Sequence, residues 1–380
     1  MKPADQLSIL MISLDDGLLI ERSASDVRQR HQAYAARVAR LDIVVLGGRE
    51  RTVSALAANA AVYSTGPGAV NKLFTGWKIA ARLLRQRPYD LIDTQDPHAT
   101  GLLGWWLKKK FQLPLEVHLH GDFIGNRQWL AESWKNQLFA RIQSRVLPRA
   151  DIVRVVSDRL VAAVRQLGVA ADKIVVINTP VDVERFSAVI NKPESAVKTL
   201  LFVGRLVAAK NLDFMLRVMA ELRQKRQDFN LSIIGSGPLE EDIKRQSHRL
   251  GLDGVVFFQG DKTPEQLVDY YQQAYLLLLL STNESFGKVI IEAGAAGVAT
   301  VASATLGAGT IIEDGQTGVV VPLNDLSSTV EVIDRLLTDK TERDRLGQMA
   351  ARQYRQRFDR ERNISEIINL WQKLAENNLS

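Results

Sequence analysis

Short apolar or β-branched runs alternate with amphipathic helical stretches along nearly the whole of this 380-residue chain, and that alternation admits few folds. A run apolar on both sides has no place in a half-solvated antiparallel sheet; it belongs in a parallel sheet covered by helices on both faces. In the first half the runs are 8–13, 42–46, 91–94, 115–120, 152–157 and 174–178; in the second they are 200–204, 231–235, 255–259, 275–280, 299–302 and 318–321. Two comparable sets predict an α/β protein of two Rossmann-like domains, as the length also suggests. Residues 178–195, with Pro180 and Pro193, read as the linker. Beyond Asp325 the pattern is helical to the end, broken by polar residues 358–363 and resumed by a stripe of Ile364, Ile367, Ile368, Trp371 and Leu374 that must be buried.

Composition narrows the chemistry. The chain has no cysteine, which excludes disulfides, thiolate zinc sites, iron–sulfur clusters and a cysteine nucleophile. Its longest strongly apolar stretch, 274–280, is far short of the roughly 20 residues that span a bilayer, and residues 1–6 lack a signal-peptide pattern. The expectation is a cytoplasmic protein, soluble or peripheral to a membrane. The net charge of +6 is uneven: residues 1–178 hold 25 Lys and Arg against 16 Asp and Glu, leaving the remainder at 24 against 27. A half at +9 attracts phosphates, nucleic acid or an anionic membrane surface. No nucleic-acid recognition motif accompanies it. Lys108, Lys109 and Lys110 close a predicted helix beginning near Thr100, beside Trp105 and Trp106, and suit either a solvated helix end or an interfacial patch.

Open α/β sheets bind ligands beyond the carboxyl ends of their strands, and two segments there carry charge. In the stretch from Phe202 to Asn211 a strand ends at Gly204, and Arg205 and Lys210 follow it. A guanidinium fork and a compact ammonium could converge on one anion and neutralise a departing diphosphate; two unrelated surface cations would show the same spacing. In the stretch from Leu280 to Gly294 an apolar strand leads into a helix at Gly287 and Lys288, where free N–H groups and the helix dipole suit phosphate oxygens. Glu284 and Glu292 flank that point, and carboxylates accept hydrogen bonds from sugar hydroxyls. An acidic helix start followed by an exposed helical carboxylate reads equally from these residues.

Together these segments resemble the family 4 glycosyltransferases, a retaining group of the GT-B fold. The resemblance rests on Val203-Gly-Arg-Leu with Lys210, Ile234-Gly-Ser-Gly-Pro238, the pair Glu284 and Glu292 with seven residues between, and Asp314-Gly-Gln-Thr-Gly318. It implies two Rossmann-like domains facing each other across a cleft: an acceptor-binding domain of residues 1–180, joined by a helix of 359–380 that crosses back, and a nucleotide-sugar domain of residues 181–358. It also implies that Arg205 and Lys210 hold the donor diphosphate beyond Gly204, with the backbone around Phe286, Gly287 and Lys288 binding its oxygens. Glu292 would hold the ribose and Glu284 would stand near the transferred sugar. Gly260 to Lys262 falls where the family's base pocket lies, and Gly17 where its donor loop lies. His120, in Val117-His-Leu-His-Gly121, resembles the active-site histidine, whereas His118 alternates to the other side of its strand. Asp96 and His98 fall on the acceptor side, although a capped loop explains them as well. The chain departs from the pattern at Asp15-Asp16-Gly17-Leu18, which lacks the family's Gly-Gly pair, and at Thr310, which stands where a glutamate is common.

The implied activity is retaining transfer of a hexose from a UDP- or GDP-sugar to a glycan or lipid-linked acceptor, in surface polysaccharide or lipopolysaccharide synthesis. No cofactor and no metal is expected, since the chain has no Asp-x-Asp motif and its nearest approach, Asp182-Val-Glu184, lies in the linker. The basic first domain favours an acceptor at a membrane face or one bearing phosphate. A sugar-nucleotide epimerase, which would turn over without acceptor, and a silent nucleotide-binding protein remain open alternatives.

Overall fold

The computed structural model describes residues 2–19, 26–68, 71–120, 124–125, 129–130, 133–187, 195–284 and 286–376; Gly121 and Ser285 of the motifs above lie outside them. The chain forms two compact units, Met1–Pro180 with Glu361–Ser380, and Val181–Arg360.

The first unit is built on eight strands: β1 (Ser8–Ser13), β2 (Arg40–Val45), β3 (Val53–Ala57), β4 (Ala60–Ser64), β5 (Leu91–Thr94), β6 (Leu115–Leu119), β7 (Ile152–Val155) and β8 (Ile174–Val176). Their order is β3-β4-β2-β1-β5-β6-β7-β8, parallel except for β3, which runs antiparallel to β4. Its helices are α1 (Asp26–Ala35), α2 (Asn71–Gln86), α3 (Ala99–Phe111), α4 (Trp134–Val146) and α5 (Asp158–Gln166), with the last helix of the chain, Arg360–Glu376, packed on the same sheet. β1 is apolar on both faces because both are covered. Ile9 and Met11 share a core with Tyr34 of α1 and with Trp371, while Leu10 and Ile12 alternate to the face under α3. Gly104 lets α3 press onto the sheet: a Cβ there would sit 2.5 Å from Thr94 Cγ2 and 2.8 Å from Leu115 Cδ1.

The second unit holds six parallel strands in the order β11-β10-β9-β12-β13-β14: β9 (Lys198–Val203), β10 (Phe229–Ile234), β11 (Val256–Gly260), β12 (Leu276–Leu279), β13 (Ala299–Ser303) and β14 (Val319–Val321). Its helices are α6 (Val183–Phe186), α7 (Leu212–Lys225), α8 (Glu240–Arg249), α9 (Pro264–Gln273), α10 (Lys288–Ala295), α11 (Leu306–Ile311), α12 (Leu326–Thr338) and α13 (Lys340–Arg357). α9 starts on a capping box, in which Thr263 accepts from the N–H of Gln266 and the Gln266 side chain accepts from that of Thr263, with Pro264 at the first helical position. β12 is four buried leucines, a strand that only a doubly covered sheet can hold.

Two details differ from the sequence reading. The pair β3 and β4 adds an alanine-rich edge to the first sheet. The polar break at 358–363 shrinks to two residues, because α14 (Arg360–Glu376) starts at Arg360 and buries Asn363.

A charged group lies inside the first unit. On adjacent strands, Glu116 and His118 of β6 meet Asp93 of β5 and Arg154 of β7, all nearly inaccessible. Arg154 Nε donates to Glu116 Oε1 at 2.8 Å, and Trp371 Nε1 of α14 donates to Glu116 Oε2 at 2.7 Å. Burial alone would push the Glu116 carboxyl up, yet His118 and Arg154 hold it down at about 2; burial and Arg154 work against His118, but Asp93 and Glu116 raise it. α14 is thus tied to the sheet by a charge-assisted bond inside its apolar stripe. Glu116→Gln should therefore lower unfolding stability by about 3 kcal/mol at neutral pH, since it removes the carboxylate paired with Arg154 and leaves Asp93 alone to balance two buried cationic groups. Because the folded carboxyl titrates below its ordinary 4.5, its contribution is complete above that value and fades as pH falls toward about 2. Urea titrations of wild type and variant should converge over that interval; an unchanged midpoint at pH 7 would refute the assignment.

Candidate functional site

In the second unit the carboxyl ends of β9, β10 and β11 stay zipped past the last strand residues. Gly204 N–H donates to Ile234 O at 3.0 Å, Leu206 N–H to Ser236 O at 2.9 Å and Gly235 N–H to Gly260 O at 2.9 Å. Gly235, at φ 125°, lies so close that a Cβ would collide with the carbonyl of Gly204, and a Cβ at Gly237 would lie 2.5 Å from Leu206 O. The Gly-Ser-Gly stretch is therefore required by backbone approach between neighbouring loops.

That contact fixes the start of the loop 204–211, and a second set of bonds fixes its end. Asn211, in the left-handed region at φ 54°, donates from Nδ2 to Leu280 O at 3.1 Å and to Asn324 Oδ1 at 2.9 Å, while Thr282 N–H donates to Ala209 O at 3.0 Å. The loop is laid against the carboxyl end of β12, and Lys210 Nζ forms an ion pair with Glu284 Oε2, both side chains largely buried. Lys210 Cε also lies 3.5 Å from where a Gly204 Cβ would be. Arg205 is exposed, and its guanidinium has no hydrogen-bond or ion-pair partner among the described residues.

Gly287, at φ 76°, leads into the first-turn amides of α10 without a capping side chain of its own, and its Cβ position is 3.5 Å from Glu284 Cγ. These amides and the helix dipole thus stand beside the Lys210–Glu284 pair. Phe286 turns its ring edge-on to Phe358, centroids 6.2 Å apart, which leaves its main chain as the part available to a ligand. Gly307 N–H donates to Glu284 O at 2.8 Å, and a Cβ at Gly307 would collide with that carbonyl, so Leu306-Gly-Ala-Gly-Thr310 buttresses the glutamate from behind. Thr310 lies in α11, where its carbonyl accepts from Arg357 at 3.1 Å.

One turn into α10, Glu292 is 4% exposed, and both its oxygens are engaged: Tyr271 Oη donates to Oε2 at 2.9 Å and Lys288 Nζ lies 3.0 Å from Oε1. Burial, and after it the Glu292 charge, pushes the Tyr271 phenol well above its ordinary value, so it stays a donor. Sequence reasoning missed Tyr271. The one available signal was a hydroxyl on the buried face of α9, in line with Leu267 and Val268. Lys262 follows β11 and lies over the ring of Tyr270, 5.9 Å from its centroid, and no described contact joins it to the Lys210–Glu284 group.

In the first unit His120 follows β6, half-buried and edge-on to His118 with centroids 5.4 Å apart. Burial, then the positive charges of His118 and Arg154, hold it well below the usual imidazole range, and it is neutral at pH 7. Two strand residues apart, His118 is drawn toward the charged form and His120 toward the neutral one. Gly17 donates its N–H to Asp15 Oδ1 at 2.9 Å in a helical turn after β1. Asp96 Oδ1 accepts from His98 N–H at 2.6 Å, and Asp96 exchanges further bonds with Thr100, which makes it a cap for α3. His98 is 8% exposed, between Trp129 and Phe139, with Nε2 3.1 Å from Gln143 Oε1, and its burial lowers its pKa. Both have full structural roles within the unit. Asp93, Glu116 and His118 are the one set of metal-ligating types found together among the described residues, and Arg154 already meets their charge.

Comparison with known proteins matches each half. Residues 24–180 fit the family described as "Glycosyl transferase 4-like domain" and residues 183–353 fit "Glycosyl transferases group 1". A D-inositol 3-phosphate glycosyltransferase of Streptomyces avermitilis is 29% identical over 70% of this chain, and the match spans only 61% of that relative's length. Among solved structures, sucrose-phosphate synthase of Thermosynechococcus elongatus superposes with a TM-score of 0.83 at 22% identity, covering 97% of this chain and 99% of that one. Anabaena HepE, solved in complex with UDP-glucose, gives 0.75 at 18% identity, covering 97% and 100%. These structural likenesses show the same fold, two parallel-sheet α/β domains. With both halves matched in order along most of its length, the chain belongs to the family 4 glycosyltransferases of GT-B architecture.

Proposed function

We propose that the protein moves a hexose from a nucleoside diphosphate sugar, linked to UDP or GDP, onto a phosphate-bearing or lipid-linked glycan acceptor, with retention of configuration and without a metal ion. The observation that carries this reading is the placing of Lys210 against Glu284 beside the start of α10 at Gly287, with Arg205 exposed on the same loop. A leaving diphosphate gathers negative charge as the glycosidic bond breaks. A guanidinium, an ammonium and helix N-terminal amides neutralise that charge, each well-placed donor contributing roughly 3 kcal/mol. On binding, the phosphate oxygens take over Lys210 Nζ, and Glu284 is released to accept from a hydroxyl of the transferred sugar. Since the diphosphate is then neutralised by these groups, no divalent cation is needed. The attack comes from the face the leaving group vacates, which requires no nucleophilic side chain.

Glu292 accepts from the ribose hydroxyls, with Tyr271 fixing its rotamer; Lys262 and Tyr270 lie near the base. Neutral His120 is suited to hydrogen-bond a sugar hydroxyl, and Gly17 is the first-unit glycine that the family resemblance assigns to a donor loop. The UDP-glucose bound by Anabaena HepE and the inositol phosphate named for the Streptomyces relative support the donor class and a phosphate-bearing acceptor. A role in lipopolysaccharide or surface polysaccharide synthesis at the cytoplasmic membrane face accords with the basic first unit.

Arg205→Ala and Lys210→Ala should each cut turnover by about a hundredfold with folding intact; unchanged turnover in a radiolabelled-sugar assay would refute the reading. Glu292→Gln should weaken nucleotide affinity by roughly tenfold in calorimetry, and Tyr271→Phe should raise the donor KM while sparing kcat. Equal affinity in both variants would move the ribose elsewhere. EDTA should leave transfer undiminished, and loss of activity restored by manganese would contradict the metal-free mechanism.

A further inference from the structure

The helices α2, α3 and α4 lie side by side on one face of the first sheet, each returning the chain to the start of the next parallel strand. They hold ten Lys and Arg and no Asp or Glu. The cations are aligned. On α2 the outward stripe is Phe74, Lys78, Arg82 and Arg85; on α4 it is Trp134, Leu138, Arg141 and Arg145; on α3 Trp106 precedes Lys109 and Lys110. In each helix an exposed aromatic comes first and exposed cations follow. Phe74 is 61% exposed and Trp134 70%, and the apolar side chain of Leu138 is 45% exposed. A cation–aromatic contact joins α3 to α2, with Lys110 over Trp77 at 4.9 Å, while Lys109 of the same helix and Arg149, just after α4, lie over Trp105 at 4.6 and 5.0 Å. At one edge a groove of about 400 Å³ is walled by Arg51, Lys78 and Arg82 beside Phe74.

We propose that this three-helix face docks on an anionic lipid bilayer, the exposed aromatics entering the headgroup layer and a lipid phosphate seating in the Arg51–Lys78–Arg82 groove. Lys108 is paired with Asp151 at 2.6 Å, and the eight cations of the three helices that are exposed answer a negative surface, each basic residue near such a surface raising partition roughly fivefold. Charge alone would also suit a soluble polyanion. Exposed tryptophan, phenylalanine and leucine beside the cations select the bilayer, where an amphipathic ring meets both apolar chains and polar headgroups. The docking goes beyond the transfer reading and stands independently of it: a protein without turnover could still bind lipid, and the converse.

The test is sedimentation of the full chain with vesicles of phosphatidylcholine alone or mixed with phosphatidylglycerol. Binding is expected only to the mixed vesicles and should fall about tenfold on raising salt to several times the physiological level. Lys109→Glu with Lys110→Glu and Arg145→Glu should abolish it. Phe74→Ser with Trp134→Ser should weaken it at least tenfold, while nucleotide affinity stays at the wild-type value and confirms folding. Brominated lipid in the mixed vesicles should quench the wild-type tryptophan emission, a readout that needs no variant. Equal binding to neutral vesicles, absence of quenching, or loss in the charge-reversed variant alone with the aromatic variant unaffected would overturn the proposal, the last result marking a site for a soluble polyanion.

Discussion

Everything that Lys210 and Glu284 can do depends on backbone meeting backbone at Gly204 and Gly235. The two loops approach within main-chain hydrogen-bond distance because Gly235 carries no Cβ to meet the Gly204 carbonyl, and this fixes where the chain leaves β9. Asn211 then carries the loop across to β12. The result is a cation and a carboxylate, 74 residues apart in sequence, held as an ion pair beside the N-terminal turn of α10. A rigid seat of this kind requires little reorganisation when charge develops on a ligand, which is the condition under which fixed dipoles and cations act most strongly.

The two units use buried charge for different ends. In the first, Glu116, His118, Asp93 and Arg154 neutralise one another inside the sheet, and Trp371 closes the set by attaching the last helix to it. Burial first and then the same cations depress the neighbouring His120, so the structural network also bears on the protonation of a strand-end group. In the second unit the charges gather at strand ends instead, where the Arg205 guanidinium keeps no described partner of its own. The asymmetry in net charge seen along the sequence becomes, in the fold, a helical face rich in cations on one unit and an ion pair with an exposed arginine at the strand ends of the other.

Much of this was legible in the residues. β1 and β5 occupy the predicted runs, and the other predicted strands agree to within a few residues, because strands buried on both faces leave an unbroken apolar record. β3 and β4 escaped for the opposite reason. Val53-Ser-Ala-Leu-Ala and Ala60-Ala-Val-Tyr-Ser are alanine-rich, short and joined without a glycine turn, so propensity and turn chemistry are both silent, and sheet-edge pairing decides. Within the site, the family resemblance brought Lys210 to the same ligand as the α10 N-terminus but could not show its ion pair with Glu284, which depends on the long-range tie through Asn211. Tyr271 was illegible because its partner lies 21 residues away on another helix. Asp96 and His98 show how a capping carboxylate and a packed imidazole can resemble site chemistry when only one dimension is read.

The central claim is that one nucleoside diphosphate is grasped jointly by Arg205, Lys210 and the first amides of α10. The most direct measurement is a crystal structure of the full chain with bound UDP or GDP. The account predicts diphosphate oxygens about 3 Å from the Arg205 guanidinium, from Lys210 Nζ and from the N–H groups at Gly287 and Lys288. A diphosphate bound elsewhere, with Lys210 still paired to Glu284 and Arg205 untouched, would contradict it.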